Sequence, residues 1–182
     1  MVRNQSLLDT IESSFARLTS PIQKWLHIIN KNTQAGSRRN IAAHYDLGND
    51  FFKLMLDSTM MYSSAIFENS KQSLENASLA KLKSICKKLD LKEHDHVLEI
   101  GTGWGGFAIY AAKNYGCKIT TTTISQQQYL LAIERIKAAG LEHKIEVLLS
   151  DYRDLTGSYD KLVSIEMIEA IGHQFYDTYF AQ

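Results

Sequence analysis

Val97-Leu98-Glu99-Ile100-Gly101-Thr102-Gly103-Trp104-Gly105-Gly106 is the stretch that decides the fold. Four residues of strand character run into a cluster of glycines, and a helical pattern then continues from Trp104 to Tyr115, where Gly116 ends it. Glycines at such a junction let the backbone turn sharply and approach a ligand closely, while the amides of the helix that follows point at that ligand. The alternation repeats downstream. Cys117 to Thr123 is a β-branched strand, and Ser125-Gln126-Gln127-Gln128 has the form of a capping box that opens a helix to Ala139, closed by Gly140. Lys144 to Leu149 reads as a third strand and Asp160 to Ile165 as a fourth, followed by short helical pieces. Repeated strand–helix units call for right-handed crossovers and a parallel sheet, hence an α/β fold.

Gly101, Gly103 and Gly106 satisfy the dinucleotide fingerprint, which makes a nicotinamide cofactor one reading of the loop. Two details oppose it. About 20 residues on, where an acid should hold the ribose hydroxyls, stand Thr120-Thr121-Thr122-Thr123. The acid instead precedes the first glycine, as Glu99, where the methyltransferase version of this loop carries one and where it helps fix the ammonium end of a methionine moiety. S-adenosylmethionine (SAM) therefore fits better than a dinucleotide. Asp151-Tyr152, after the third strand, lies where SAM-binding folds place an acid near the adenine, although a lone Asp there is also a common helix cap.

Composition narrows the classes. The chain has 182 residues, with 20 Lys+Arg against 20 Asp+Glu, so a bulk polyanion such as nucleic acid is not an expected partner. No apolar run approaches the ~20 residues of a membrane-spanning helix, and the N-terminus lacks the apolar core of a secretory signal, so a cytoplasmic location is expected. Cys86 and Cys117 cannot by themselves make a disulfide framework or a zinc site and are expected as buried free thiols. His27 and His143 lack partners at ligand spacing, His94 and His96 flank Asp95 in what reads as solvated loop, and His173 reads as a turn or cap residue, so no metal is expected.

Charge is unevenly spread. Residues 1–44 hold Arg3, Arg17, Lys24, Lys31, Arg38 and Arg39 against only Asp9 and Glu12, with apolar residues recurring at helical spacing. Such an arm either docks on the rest of the fold or lies on an anionic membrane surface. A further helix is expected from Ser73 to Leu89, with Leu82, Ile85, Cys86 and Leu89 inward and Lys81, Lys83, Lys87 and Lys88 mostly outward. The expected organisation is a helical segment, 1–90, that carries the arm and contact motifs, then an incomplete ligand-binding Rossmann-like domain, 91–182.

Several segments in order carry a resemblance. They are His44-Tyr45-Asp46-Leu47-Gly48-Asn49-Asp50-Phe51-Phe52, Met61-Tyr62-Ser63-Ser64-Ala65-Ile66-Phe67, Glu99 to Phe107, Thr123-Ile124-Ser125, Asp151-Tyr152-Arg153-Asp154, and Ser164-Ile165-Glu166-Met167-Ile168-Glu169. The chain resembles the cyclopropane-fatty-acyl-phospholipid synthases and their mycolic acid relatives. The resemblance implies a Rossmann-like SAM methyltransferase fold with about four strands in the order 3-2-1-4, preceded by N-terminal helices. It implies methyl transfer from SAM to a cis double bond of an unsaturated phospholipid acyl chain, forming a cyclopropane ring, with the protein peripheral at the inner membrane face. A methyltransferase for a small soluble acceptor, or a SAM-binding fragment without turnover, are the alternatives.

Carried over, Tyr62 and Ser63 touch the methionine end, and Glu99, Gly101, Thr102, Gly103, Trp104, Gly105 and Gly106 form the glycine-loop contact. Thr123, Ser125 and Gln128 line the ribose side, and Asp151 and Tyr152 flank the adenine. Glu169 and Ser64 are the implied catalytic pair, holding a bicarbonate ion as base, with Ser64 standing where the family has a cysteine. His44 and Tyr45 are tentative substrate-pocket residues. The resemblance also implies further strands beyond Gln182, so the fourth strand is expected to have an open edge and the chain alone to be marginally stable or to self-associate as a homo-oligomer.

Overall fold

The structure, a computed structural model, describes Gly36 and residues 48–181. The chain divides into two compact units, Met1–Asn40 and Ile41–Gln182. Everything below concerns the second. The basic arm, His44 and Tyr45 lie outside the described residues.

The elements run α1 (Gly48–Met55), α2 (Leu74–Lys88), β1 (His96–Ile100), α3 (Gly106–Tyr115), β2 (Lys118–Thr123), α4 (Gln126–Ala138), β3 (Ile145–Leu149), β4 (Lys161–Ser164), α5 (Ile168–Ile171) and α6 (Tyr176–Ala181), with single 3-10 turns at Tyr152–Asp154 and His173–Phe175. All strand pairs are parallel, as the repeated strand–helix units predict, and the order is β3-β2-β1-β4, as the family resemblance implies. β1 is buried from Val97 onward because strands flank it on both sides and helices cover its faces. β4 pairs with β1 on one side, and among the described residues no strand pairs with its other edge.

The main core joins Leu82 and Cys86 of α2, Val97 of β1, Phe107, Ala108 and Ala111 of α3, and Ile119, Ile136 and Ile145. Burying a side chain such as Leu82 or Phe107 contributes roughly 1.5–3 kcal/mol each, and the small alanines let α3 lie close to the sheet. Both cysteines are free and buried, and burial pushes the Cys86 thiol up to about 12.

Helix boundaries follow local chemistry. Ser73 caps α2, its side chain accepting from Asn76 N–H. Helix α3 starts at Gly106 rather than Trp104, because Gly105 at φ 82 supplies the left-handed entry residue. Half of the expected capping box of α4 forms: Ser125 Oγ accepts from Gln128 N–H. The other half does not, because Ser125 N–H donates to Thr123 Oγ1 at 3.1 Å while the Gln128 side chain turns to the same threonine. Lys81 departs from the expected outward face. It is 7% exposed, and its cause is described below.

Candidate functional site

The glycine loop leaves β1 at the carboxyl edge of the sheet, the end at which open α/β sheets bind ligands. Gly101 and Thr102 N–H groups both donate to Thr122 O, so the loop is fastened to β2. A second segment, Thr59 to Ser63, lies across it. The Tyr62 ring stands edge-on to Trp104 with centroids 5.3 Å apart, and Phe52 of α1 packs on the same indole at 4.8 Å. Trp104 Nε1 donates to Asn49 Oδ1 at 2.9 Å, which ties α1 to the loop. Gly106 is required by this crossing: a Cβ there would stand 2.6 Å from Thr59 O. Arg135 of α4 fastens both segments, donating to Trp104 O and to Ser58 O.

Between the two segments lies a pocket lined by Tyr62, Ser63, Glu99, Gly101, Thr102, Gly103, Trp104 and Gly106, eight residues read from the sequence. Met60, Met61, Phe107 and Ile165 complete the lining. Met61, Phe107 and Ile165 belong to the motif segments without being singled out as contacts, and Met60 is signalled only by its place next to one.

Glu99 is the unusual member. It is 2% exposed and accepts from Thr121 Oγ1 at 2.7 Å, with that hydroxyl 2.8 Å from Thr102 Oγ1. Burial pushes its carboxyl up to about 8, against the lowering effect of the Thr121 hydrogen bond. A carboxyl kept neutral beside a glycine loop is suited to receive a cationic group and to ionise as it does so.

The ribose-side candidates gather at the exit of β2. Thr123 Oγ1 donates to Gln128 Oε1 at 2.9 Å, and Gln128 Nε2 is buried with no hydrogen-bond partner among the described residues. Such an orphaned donor costs free energy unless a ligand accepts from it. Asp151 and Tyr152 stand at the exit of β3, both buried. The Asp151 carboxylate forms a two-point ion pair with Arg153, from Nε at 2.7 Å and Nη2 at 2.6 Å, and it also caps the turn by accepting from Arg153 N–H. Tyr152 meets Tyr179 of α6 edge-on at 5.3 Å.

Ser64 and Glu169 lie outside the pocket lining. Ser64 is exposed, with its N–H and hydroxyl within 3.4 and 3.3 Å of the Glu166 carboxylate. Glu169 is exposed in the first turn of α5. Gly105 faces Ala132 and Ile109 rather than the pocket. Among the described residues no group of three His, Cys, Asp or Glu side chains is placed to hold a metal, and no helix is long and apolar enough to cross a membrane.

The family model for mycolic acid cyclopropane synthetase matches residues 32–182. The chain belongs to this family. It is 50% identical over 138 residues to the cyclopropane-fatty-acyl-phospholipid synthase of Escherichia coli (strain K12), covering 76% of this chain and 35% of that one. It is 45% identical over 152 residues to the tuberculostearic acid methyltransferase UfaA1 of Mycobacterium tuberculosis, covering 80% of this chain and 35% of that one. The chain thus spans about a third of the length of these curated relatives. The solved structure of mycolic acid cyclopropane synthase CmaA1 complexed with SAH and CTAB superposes with a TM-score of 0.75 at 33% identity, over 79% of this chain and 50% of that one. The four-stranded sheet and its helices are therefore the SAM-dependent methyltransferase fold.

Proposed function

We propose that the pocket binds SAM and that the chain serves methyl transfer to a cis double bond in an unsaturated phospholipid acyl chain, with ring closure to a cyclopropane. The observation that carries this is Glu99, a buried carboxyl with no cationic partner among the described residues, facing a glycine loop that a second segment covers. The residues fit the cofactor. Glu99 would receive the ammonium of the methionine end, Tyr62 and Ser63 would bound that end from above, and Gln128 Nε2 offers a buried, unspent donor on the ribose side. SAM when bound supplies an electrophilic methyl group.

An alkene is a poor nucleophile, so the protein's part is to align it and exclude water. Trp104 and Phe107, each 1% exposed, line the pocket on its inner side, and the exposed Tyr62 ring lines it on the outside. The overall change transfers a methyl cation from the sulfonium, which leaves as neutral SAH, and releases one proton, a net gain of CH2 per double bond. Bicarbonate, the base that the resemblance implies, does not fit the described residues. Ser64 already faces the Glu166 carboxylate, which is itself paired with Lys81, so this group is spent within the fold, and Glu169 stands exposed outside the pocket. We derive no step through it.

The family membership and the lipid-modifying relatives support a lipid acceptor reached at a membrane surface. The test is expression of the chain in a host with unsaturated phospholipids, followed by mass analysis of the acyl chains alongside calorimetry with S-adenosylhomocysteine (SAH). Cyclopropane chains are the expected result. Tight SAH binding with no CH2 gain would favour a soluble acceptor or a binding role, and no SAH binding would overturn the reading.

A further inference from the structure

Lys81 sits in the middle of α2 on the stripe Ala77, Lys81, Ile85, which turns toward the protein, and its side chain is 9% exposed. A lysine is buried at this cost only when its ammonium is paired. Its Nζ donates to Ser63 Oγ at 2.6 Å and to Glu166 Oε1 at 2.6 Å. Glu166 is held at φ 50, a left-handed conformation uncommon for a side-chain-bearing residue, just beyond β4. Its carboxylate also faces Ser64 N–H. Three separate elements therefore converge on one ammonium: α2, the segment that covers the glycine loop, and the exit of β4.

The consequence falls on Ser63. A serine hydroxyl has one hydrogen and two acceptor lone pairs. The ammonium occupies the acceptor side at short range, which turns the hydroxyl hydrogen away from Nζ. Among the described residues Ser63 Oγ has no partner besides Lys81. Ser63 lines the pocket together with Glu99, Gly101 and Gly103. An ammonium-polarised hydroxyl is a stronger donor than a free one, and the group that suits it is an anionic oxygen. Glu99, on the β1 side of the same pocket, suits a cation. A pocket with one oriented donor and one cation acceptor matches the two charges of an α-amino acid.

We propose that Lys81 is a positioning residue: through Ser63 it fixes a hydrogen-bond donor for the carboxylate of the bound amino-acid end. This rests on the reading of the pocket as the site of the SAM methionine moiety. Because Glu166 neutralises the ammonium, recognition comes from an oriented hydroxyl, and Lys81 itself need not touch the ligand.

The experiment compares two ligands by calorimetry, SAH and 5′-methylthioadenosine, which share the nucleoside and thioether and differ in the amino-acid end. Wild type should prefer SAH. Lys81→Met and Ser63→Ala should each weaken SAH roughly tenfold and change 5′-methylthioadenosine less than twofold. The double variant should be no worse than either single one, and Lys81→Arg should restore the preference. Equal losses for both ligands, or additive losses in the double variant, would overturn the proposal. Should Lys81→Met fail to fold, Ser63→Ala and Lys81→Arg decide it, since the first must lose the preference and the second must keep it. A wild-type chain that binds no SAH would instead overturn the reading of the pocket, and this inference with it.

Discussion

Two glutamates near the pocket show how position, not residue type, sets chemistry. Glu99 lies within β1, paired in register with Thr121 of β2 and Val163 of β4. Glu166 lies two residues past the end of β4 and is exposed. The first is sealed from water with a threonine hydroxyl as partner, and burial raises its carboxyl to about 8. The second has an ammonium at 2.6 Å, and the Lys81 hydrogen bond holds its carboxyl below the usual carboxylate value. One site carries its cation within the fold. Among the described residues the other has none, and the proposed seat for a ligand's positive charge rests on that deficit.

The largest effects should come from breaking the Glu99 side of this contrast. Glu99→Ala is expected to weaken SAH at least 100-fold, about 2.7 kcal/mol, the scale of a charged hydrogen bond lost in a dry site. Because a neutral carboxyl must ionise to receive an ammonium, wild-type affinity should rise about tenfold per pH unit toward pH 8 and level off above it. Calorimetry in buffers of different ionisation enthalpy should show proton release on binding at pH 7, and Glu99→Gln should abolish both the slope and the release. Stability runs the other way. The folded value of Glu99 lies above the ordinary 4.5, so its contribution is complete below that pH and lost as pH rises through about 8. Glu99→Gln should therefore melt above wild type at pH 9 and close to it at pH 5. Equal melting at both would show that Glu99 is not held neutral.

A second contrast separates glycines that shape the pocket from those that only end helices. Gly106→Ala places a methyl carbon 2.6 Å from Thr59 O and 3.0 Å from Met61 Sδ, so the covering segment must lift. The expected cost is about 1–3 kcal/mol of stability, with weaker SAH binding alongside. At Gly140, φ is +68 and nothing lies within 4 Å of an added Cβ. Gly140→Ala should cost about 1 kcal/mol from backbone strain alone and leave SAH affinity unchanged. Equal binding losses in the two variants, read by calorimetry beside thermal melts, would dissolve the distinction.

Much of this was legible in the chain because glycines and β-branched runs punctuate it locally. The four strands and the glycine loop follow from segments that are each short and self-announcing, whereas the strand order and the place of Tyr62 and Ser63 at the pocket come through the family resemblance. What escaped is non-local. Lys81 was expected to face solvent as one of four lysines on α2, yet its ionic partner stands 85 residues away. The one local signal was its spacing of four from Ala77 and Ile85, which places it on the buried stripe. Arg135 escaped for the same reason, since it bonds carbonyls 31 and 77 residues distant, which no pattern of side chains reports. Asp151 reads in the sequence as an adenine contact or a cap, and it does cap its turn, but no local pattern shows that Arg153, two residues on, engages both its carboxylate oxygens.

The smallest expected effect sharpens the contrast furthest, because stability and binding should separate. Among the described residues Gln128 Nε2 is a buried donor without a partner, which the described fold gives no reason to keep. Gln128→Met removes that orphan and also the bond that Thr123 donates to Oε1. Thr123 Oγ1 keeps its bond from Ser125 N–H, so its hydroxyl is not stranded on both sides. Losing a satisfied bond and losing an unsatisfied donor each count for about 1 kcal/mol with opposite sign, so melting should move by less than that. SAH affinity should still fall several-fold, and more for ligands that retain the ribose than for free homocysteine. A large fall in melting temperature with unchanged affinity would make Gln128 a structural residue of the α4 cap and leave the ribose side of the pocket without its donor.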